Sequence, residues 1–175
     1  MTDYTITEMF TAAEISARVK ELGLEISSDY ANKEVILLCV LKGALFFTAD
    51  LAREITIPVK LDCIKISSYN EGTASTGELR IDLTPAEKLA NRHVIIVEDI
   101  VDMGYTAKWL REYVQLKSPA SIKFCALLNK PSRRKVEGDI IDYLGFTIPD
   151  EFVVGYGLDY AQKHRNLPFI GKITN

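Results

Sequence analysis

The chain has few of the residues that most often announce chemistry. Its 175 residues hold 2 histidines, 3 cysteines and 1 tryptophan. His93 and His164 have no nucleophile partner in a recognisable arrangement, so neither suggests a triad or a metal site. Cys39, Cys63 and Cys125 are odd in number, lie in apolar strand-like runs and show no metal-ligand spacing. Buried, reduced thiols are the expected reading. Neither a GxGxxG turn nor a P-loop occurs, which leaves dinucleotide and NTPase readings without support. No apolar run is long enough to span a membrane, since Lys42 breaks the best candidate. Met1-Thr2-Asp3-Tyr4 has neither the basic nor the apolar region of a signal peptide, so a cytoplasmic protein with no membrane partner is expected. The net charge of −3 and pI near 5.5 provide no general basic field. A protein built to coat nucleic acid is therefore not expected, and any anionic ligand must be held by local positive charge. No repeat and no linker divides the chain, so residues 1–175 read as a single domain.

What is present is a globular composition, 47% hydrophobic and 26% charged, arranged around residues 94–106. Val94-Ile95-Ile96-Val97 is a short continuous apolar run rich in β-branched residues, the pattern of a strand buried on both faces of a parallel sheet. Trp109, Leu110, Tyr113 and Val114 then recur at helical spacing. Between strand and helix stand Glu98, Asp99, Asp102, Gly104 and Thr106. In an open α/β sheet, ligands bind at the carboxyl ends of strands, which is where this turn falls. Gly104 permits close approach or positive φ. Thr106 opens the helix, where free N–H groups and the dipole favour phosphate. Glu98 and Asp99 can accept from a sugar diol or approach a divalent cation. A site for both an anion and a polyol suggests a ribose phosphate.

The flanking sequence predicts the frame. Thr11-Ala12-Ala13-Glu14 is a capping box, followed by Ile15, Val19, Leu22, Ile26 and Tyr30 at helical spacing. Residues 35–41 form a second doubly buried strand, Lys42-Gly43 turns the chain, and 44–55 read as a helix. Residues 59–67 alternate, with Val59, Leu61 and Cys63 on the apolar face. Residues 69–78 are rich in Gly, Ser and Thr and predict a surface loop, with a short strand near 79–81 returning from it. Strands are expected at 122–128, 140–146 and 152–154. Alternating strands and helices predict an α/β fold with a mostly parallel central sheet flanked by helices. Segments 1–10 and 132–175 are expected to form a small hood over the site. The basic run Ser132-Arg133-Arg134-Lys135 reads as a solvated turn.

Residues 94–106 resemble the signature of the type I phosphoribosyltransferases, which bind phosphoribosyl pyrophosphate (PRPP). Val40-Leu41-Lys42-Gly43, Ser67-Ser68-Tyr69, Leu127-Leu128-Asn129-Lys130 and the stretch from Pro149 to Tyr160 resemble, in order, the hypoxanthine-guanine phosphoribosyltransferases. The resemblance covers nearly the whole chain. It implies the type I phosphoribosyltransferase fold and transfer of phosphoribose from PRPP to N9 of a 6-oxopurine, giving IMP or GMP and pyrophosphate in purine salvage.

By resemblance, Asp102, Met103, Gly104, Tyr105 and Thr106 take the 5′-phosphate, Glu98 and Asp99 the ribose hydroxyls, and Lys42, Gly43 and Arg165 the pyrophosphate. A cis peptide is implied before Lys42. Ser68 and Tyr69 begin the lid. Lys130, Phe152, Val153, Leu158 and Asp159 bind the purine, with Asp102 as general acid/base at N7. Mg²⁺ accompanies PRPP, near Glu98, Asp99 and Asp159 and partly through water. Met103 departs from the family's Thr or Ser and removes a hydroxyl donor. A homodimer or homotetramer is the family habit. A xanthine-directed relative, or a PRPP- or nucleotide-sensing regulator that binds RNA or DNA, remains an alternative reading.

Overall fold

The computed structural model describes residues 4–68 and 79–174. The expected loop over 69–78, Tyr69 included, lies outside them. The two continuous apolar runs become the centre of a six-stranded sheet. β2 (Val35–Leu41) buries every residue but its last, and β5 (His93–Val101) buries Val94, Ile95, Ile96 and Val97 in succession. Consecutive burial requires cover on both faces. On one face Leu37, Ile95, Val97 and Leu127 pack with Ile15, Val19, Leu22 and Ile26 of α1 (Ala12–Asp29) and with Phe47 and Leu51 of α2 (Leu45–Glu54). On the other, Ile36, Leu38, Ile96 and Phe124 pack with Ala107, Leu110 and Val114 of α3 (Tyr105–Gln115).

The sheet order is β4-β3-β2-β5-β6-β7, completed by β3 (Val59–Ser68), β4 (Leu79–Leu83), β6 (Ser121–Asn129) and β7 (Tyr143–Thr147). All pairs are parallel except β3 with β4. From β2 the chain passes through α2 outward to β3, and from β5 it passes through α3 outward the other way to β6. The order therefore reverses between β2 and β5. Their carboxyl ends, Leu41 and Val101, border the crevice that such a switch point leaves open.

The capping box forms as expected. Thr11 Oγ1 accepts from the Glu14 N–H at 3.2 Å, and Glu14 Oε2 accepts from the Thr11 N–H at 2.8 Å. Several expectations need correction: the strand expected at 140–146 runs Tyr143–Thr147, and the one at 152–154 is Val153–Val154. α2 begins one residue later than Ala44 and ends before Ile55. α3 begins at Tyr105 rather than Thr106, because Gly104 takes the N-cap. In β3 the expected apolar face is not buried throughout: Leu61 is 58% exposed, while Ile64, on the opposite face, is fully buried against the α3 side. The helices on that face lie over the central strands, so an outer strand keeps part of its apolar side in water.

The two ends of the chain meet in a second, antiparallel sheet of order β1-β9-β8, made by β1 (Thr5–Phe10), β9 (Ile170–Thr174) and β8 (Val153–Val154). Neither β1 nor β9 carries a clean alternation. Their pairing shifts register between Glu8 and Phe10, and Gly171 interrupts β9.

Candidate active site

The turn after β5 is built for an anion. Gly104 stands at the N-cap of α3 with φ 90°, a left-handed conformation that glycine takes at little cost. It brings no side-chain cap, so none claims the first N–H groups of α3. Asp102, Met103, Gly104, Tyr105 and Thr106 line one cavity of about 560 Å³ together with Glu98. Met103 is 41% exposed in its wall.

A neighbouring cavity of about 360 Å³ gathers Lys42, Gly43, Glu98, Asp99, Thr106, Asp159 and Arg165. These come from the ends of β2 and β5, the start of α3 and the loop before β9. The packing here is tight. A Cβ on Gly43 would stand 1.6 Å from Asp99 Oδ2, and one on Gly157 would stand 2.0 Å from the Gly43 carbonyl oxygen. The Leu41–Lys42 peptide is cis, as the resemblance implied.

Glu98 Oε2 is buried with no hydrogen-bond partner among the described residues, whereas Asp99 Oδ1 accepts from the Ile100 N–H at 2.9 Å. Burial, and then the adjacent Asp99 charge, hold Glu98 well above the ordinary glutamate range. Burial also raises Asp99, against the pull of the Ile100 N–H and the Arg165 charge. Hard carboxylate oxygens with an unmet partner fit a divalent cation. Among the described residues, no group of three or more His, Cys, Asp or Glu gathers that could cage an ion alone. The ion's remaining ligands would therefore be substrate oxygens and water.

Asp159 and Arg165 fasten the loop that closes this cavity. Arg165 Nη2 lies 2.6 Å from Asp159 Oδ1, and its Nη1 donates to the Gly157 carbonyl oxygen at 2.7 Å. Asp159 Oδ2 also accepts from the Gln162 N–H at 2.8 Å. Asp159 thus caps a turn as well as facing the crevice.

Lys130 follows β6 and is only 6% exposed. Its N–H donates to the Val101 carbonyl oxygen at 3.0 Å, which fixes it beside Asp102. Its Nζ lies 3.8 Å from Asp150 Oδ1. Phe152 is 53% exposed, its ring 5.5 Å from that of Tyr160 and nearly perpendicular to it. Val153 and Leu158 are buried. Ser68 ends β3, and Tyr69 lies outside the described residues.

Residues 132–135 are not simply a solvated turn. Arg133 Nε lies 2.9 Å from Asp102 Oδ1, and its Nη1 donates to Asp150 Oδ1 at 3.3 Å. Arg134 Nη2 donates to the Asn129 side-chain oxygen, and the Lys135 N–H donates to the Met103 carbonyl oxygen at 3.0 Å. The Arg133–Asp102 contact is not aligned as a hydrogen bond, so Asp102 Oδ1 remains a buried acceptor without a donor among the described residues. The available signal was position. A basic run following Lys130 must land beside the end of β5, because β6 is paired to β5.

Comparison with known proteins gives a consistent result. A family model described as the phosphoribosyl transferase domain matches residues 6–161. The hypoxanthine phosphoribosyltransferase of Salmonella typhimurium is 44% identical over 173 residues, covering 98% of this chain and 97% of that protein. The hypoxanthine-guanine phosphoribosyltransferase of Streptococcus pneumoniae is 46% identical over 158 residues, covering 90% and 87%. A crystal structure of a hypoxanthine-guanine phosphoribosyltransferase from Bacillus anthracis superposes with a TM-score of 0.91 at 40% identity, covering 99% of this chain and 100% of that one.

Proposed function

The chain belongs to the phosphoribosyl transferase domain family, and from that premise we propose that it moves 5-phosphoribose from PRPP to N9 of hypoxanthine, releasing IMP and pyrophosphate. It is an enzyme of purine salvage. Guanine, giving GMP, is its second base. The observation that carries this reading is the convergence of Lys42, Gly43, Glu98, Asp99, Thr106, Asp159 and Arg165 on one switch-point crevice.

Each part of PRPP finds a partner of suited chemistry. The uncapped start of α3, residues 102–106, offers N–H groups to the 5′-phosphate. Glu98 and Asp99 accept from the ribose hydroxyls, and their charge favours the cationic, oxocarbenium-like sugar of the transition state. Lys42, the Gly43 backbone and Arg165 take the pyrophosphate, with the planar guanidinium suited to it. Mg²⁺, when bound, neutralises charge on the leaving pyrophosphate. Glu98, Asp99 and Asp159 are the residues that would face it.

Lys130 has donors only, so it donates to the 6-oxo group and disfavours the 6-amino group of adenine. Phe152 supplies a stacking face, Val153 reads the purine edge through its backbone and Leu158 closes the pocket. Asp102 takes the N7 proton as N9 bonds to the sugar. Ser68 and Tyr69 begin the lid that excludes water from the sugar cation. The working enzyme is a cytoplasmic homodimer or homotetramer, a state that light scattering reads directly.

The test is a product assay with PRPP, Mg²⁺ and one base at a time. Nucleotide from hypoxanthine, with or without guanine, and none from adenine supports the reading. Product from xanthine or adenine alone overturns the base pocket. No product from any base overturns the activity.

A further inference from the structure

Three buried side-chain polar atoms lack a hydrogen-bond partner among the described residues: Glu98 Oε2, Asp102 Oδ1 and Arg134 Nη1. Buried polar atoms are nearly always paired, so each of these needs an explanation. The function proposed above accounts for two of them. A ribose hydroxyl can donate to Glu98, and the purine N7–H can donate to Asp102. Nothing in that account uses Arg134.

Arg134 lies against the phosphate turn itself. A Cβ on Gly104 would stand 2.9 Å from Arg134 Nη1 and 3.1 Å from its Cδ, so the side chain crosses the turn where glycine leaves room. Its one hydrogen-bonding partner among the described residues is a neutral group, the Asn129 side-chain oxygen. No carboxylate among the described residues comes within ion-pair distance of it, although neighbouring Arg133 holds both Asp102 and Asp150. Burial lowers the proton affinity of the guanidinium, with the Asp102 charge acting the other way. A cation set in a partly dry place without a counter-ion is unfavourable until an anion arrives.

We propose that Arg134 is a partly buried positive charge of the 5′-phosphate site, acting from behind Gly104 on an anion held by residues 102–106. The proposal rests on the reading that this turn binds the 5′-phosphate. Arg134 is a positioning residue: its Nη1 is closed to solvent, so it attracts the phosphate through the turn and does not touch it. Its charge offsets part of what Met103 withholds, since a thioether cannot donate to a phosphate oxygen. Its neighbours keep the turn in register with it, through Arg133 at Asp102 and the Lys135 N–H at the Met103 carbonyl.

The test is calorimetric titration of the full chain with ribose 5-phosphate, alongside initial rates with PRPP, Mg²⁺ and hypoxanthine. Arg134→Met keeps the stem and removes the charge. It is expected to weaken ribose 5-phosphate binding on the order of tenfold, the scale of one charge acting across a few ångströms of protein. The KM for PRPP should rise in step, while kcat at saturating PRPP and the KM for hypoxanthine stay near wild type. Arg134→Lys should recover most of the loss, because charge is the agent. A purely structural arginine would instead lower kcat, and its loss would not be rescued by lysine.

Asn129→Asp gives a second route that leaves Arg134 in place. It supplies the guanidinium with a carboxylate partner and should weaken ribose 5-phosphate binding in the same direction. Unchanged binding in Arg134→Met, or in Asn129→Asp should the arginine variants fail to fold, overturns the proposal. Failure of lysine to rescue does so as well. If wild type itself does not bind ribose 5-phosphate, the phosphate reading falls together with it. If wild type binds and Arg134→Met binds equally, only the role of Arg134 falls.

Discussion

Glu98 carries a cost that the folded chain bears. Its carboxyl group binds a proton more tightly folded than unfolded, because burial and the Asp99 charge disfavour the anion. The sign follows from linkage. Between the ordinary glutamate value of 4.5 and the raised folded value, the native state holds more protons than the unfolded chain, so stability falls as pH rises through that window. Glu98→Gln is therefore expected to raise Tm at pH 8, by about 2–4 °C for each kcal/mol relieved, with a smaller gain at pH 5. The same variant should raise the KM for PRPP. Equal Tm changes at the two pH values, read by scanning fluorimetry, would contradict this account of Glu98. Met103 makes a prediction of opposite sign. Met103→Thr restores a hydroxyl donor worth roughly 1.5–3 kcal/mol to a charged acceptor, so the KM for PRPP should fall about tenfold or more in initial-rate measurements. At this scale, Asp102, Lys130 and Thr106 were legible because each sits inside an ordered motif. Arg133 was not, because its partner Asp102 lies at the end of β5, and only the pairing of β5 with β6 makes the two neighbours.

Among the elements, α1 is the one whose start rests most plainly on local chemistry. Its capping box satisfies two backbone and side-chain groups at once, and its buried stripe is one wall of the core. Thr11→Ala removes one cap acceptor and should cost about 1 kcal/mol, a fall of roughly 2–4 °C in Tm for a chain of this size. Turnover at 25 °C should be unchanged, since Thr11 lines neither cavity of the crevice. β2 and β5 were readable for an equally local reason: continuous β-branched and leucine runs can only be doubly buried strands or buried helix, and their length and flanking turns decide between the two. β1 and β9 could not be read that way. They exist because residues from the two chain ends pair with each other, Thr5 with Thr174 and Ile6 with Ile173, and no local pattern records a partner so distant. The exposed Leu61 is the reverse case. Its alternation is genuine, but how far a helix covers an outer strand is a property of the packed sheet.

On the scale of the whole molecule, the site is a product of topology. Three stretches far apart in sequence, at 42–43, 98–106 and 159–165, meet at the crevice where strand order reverses between β2 and β5. Composition and periodicity predicted the layers and one turn, while the assembled constellation was legible only through the ordered resemblance. The same view explains how the metal should behave. On the proposed reading a Mg²⁺ ion is held mostly by PRPP oxygens and water and belongs to the substrate complex, so chelation is expected to abolish turnover while leaving the Tm of the substrate-free protein unchanged. A fall in Tm on chelation, without PRPP present, would instead point to an ion held by the protein alone.

The measurement that bears most directly on the whole account is the turnover of Asp102→Asn with PRPP, Mg²⁺ and hypoxanthine, beside wild type. Asp102 Oδ1 is a buried acceptor without a donor among the described residues, where the proposed phosphate turn would meet the proposed purine pocket. With the proton acceptor removed, kcat should fall about 10²–10⁴-fold, and the KM for PRPP should remain near wild type. Full turnover in the variant would contradict the assignment of Asp102 and, with it, the docking of the purine at this end of the crevice.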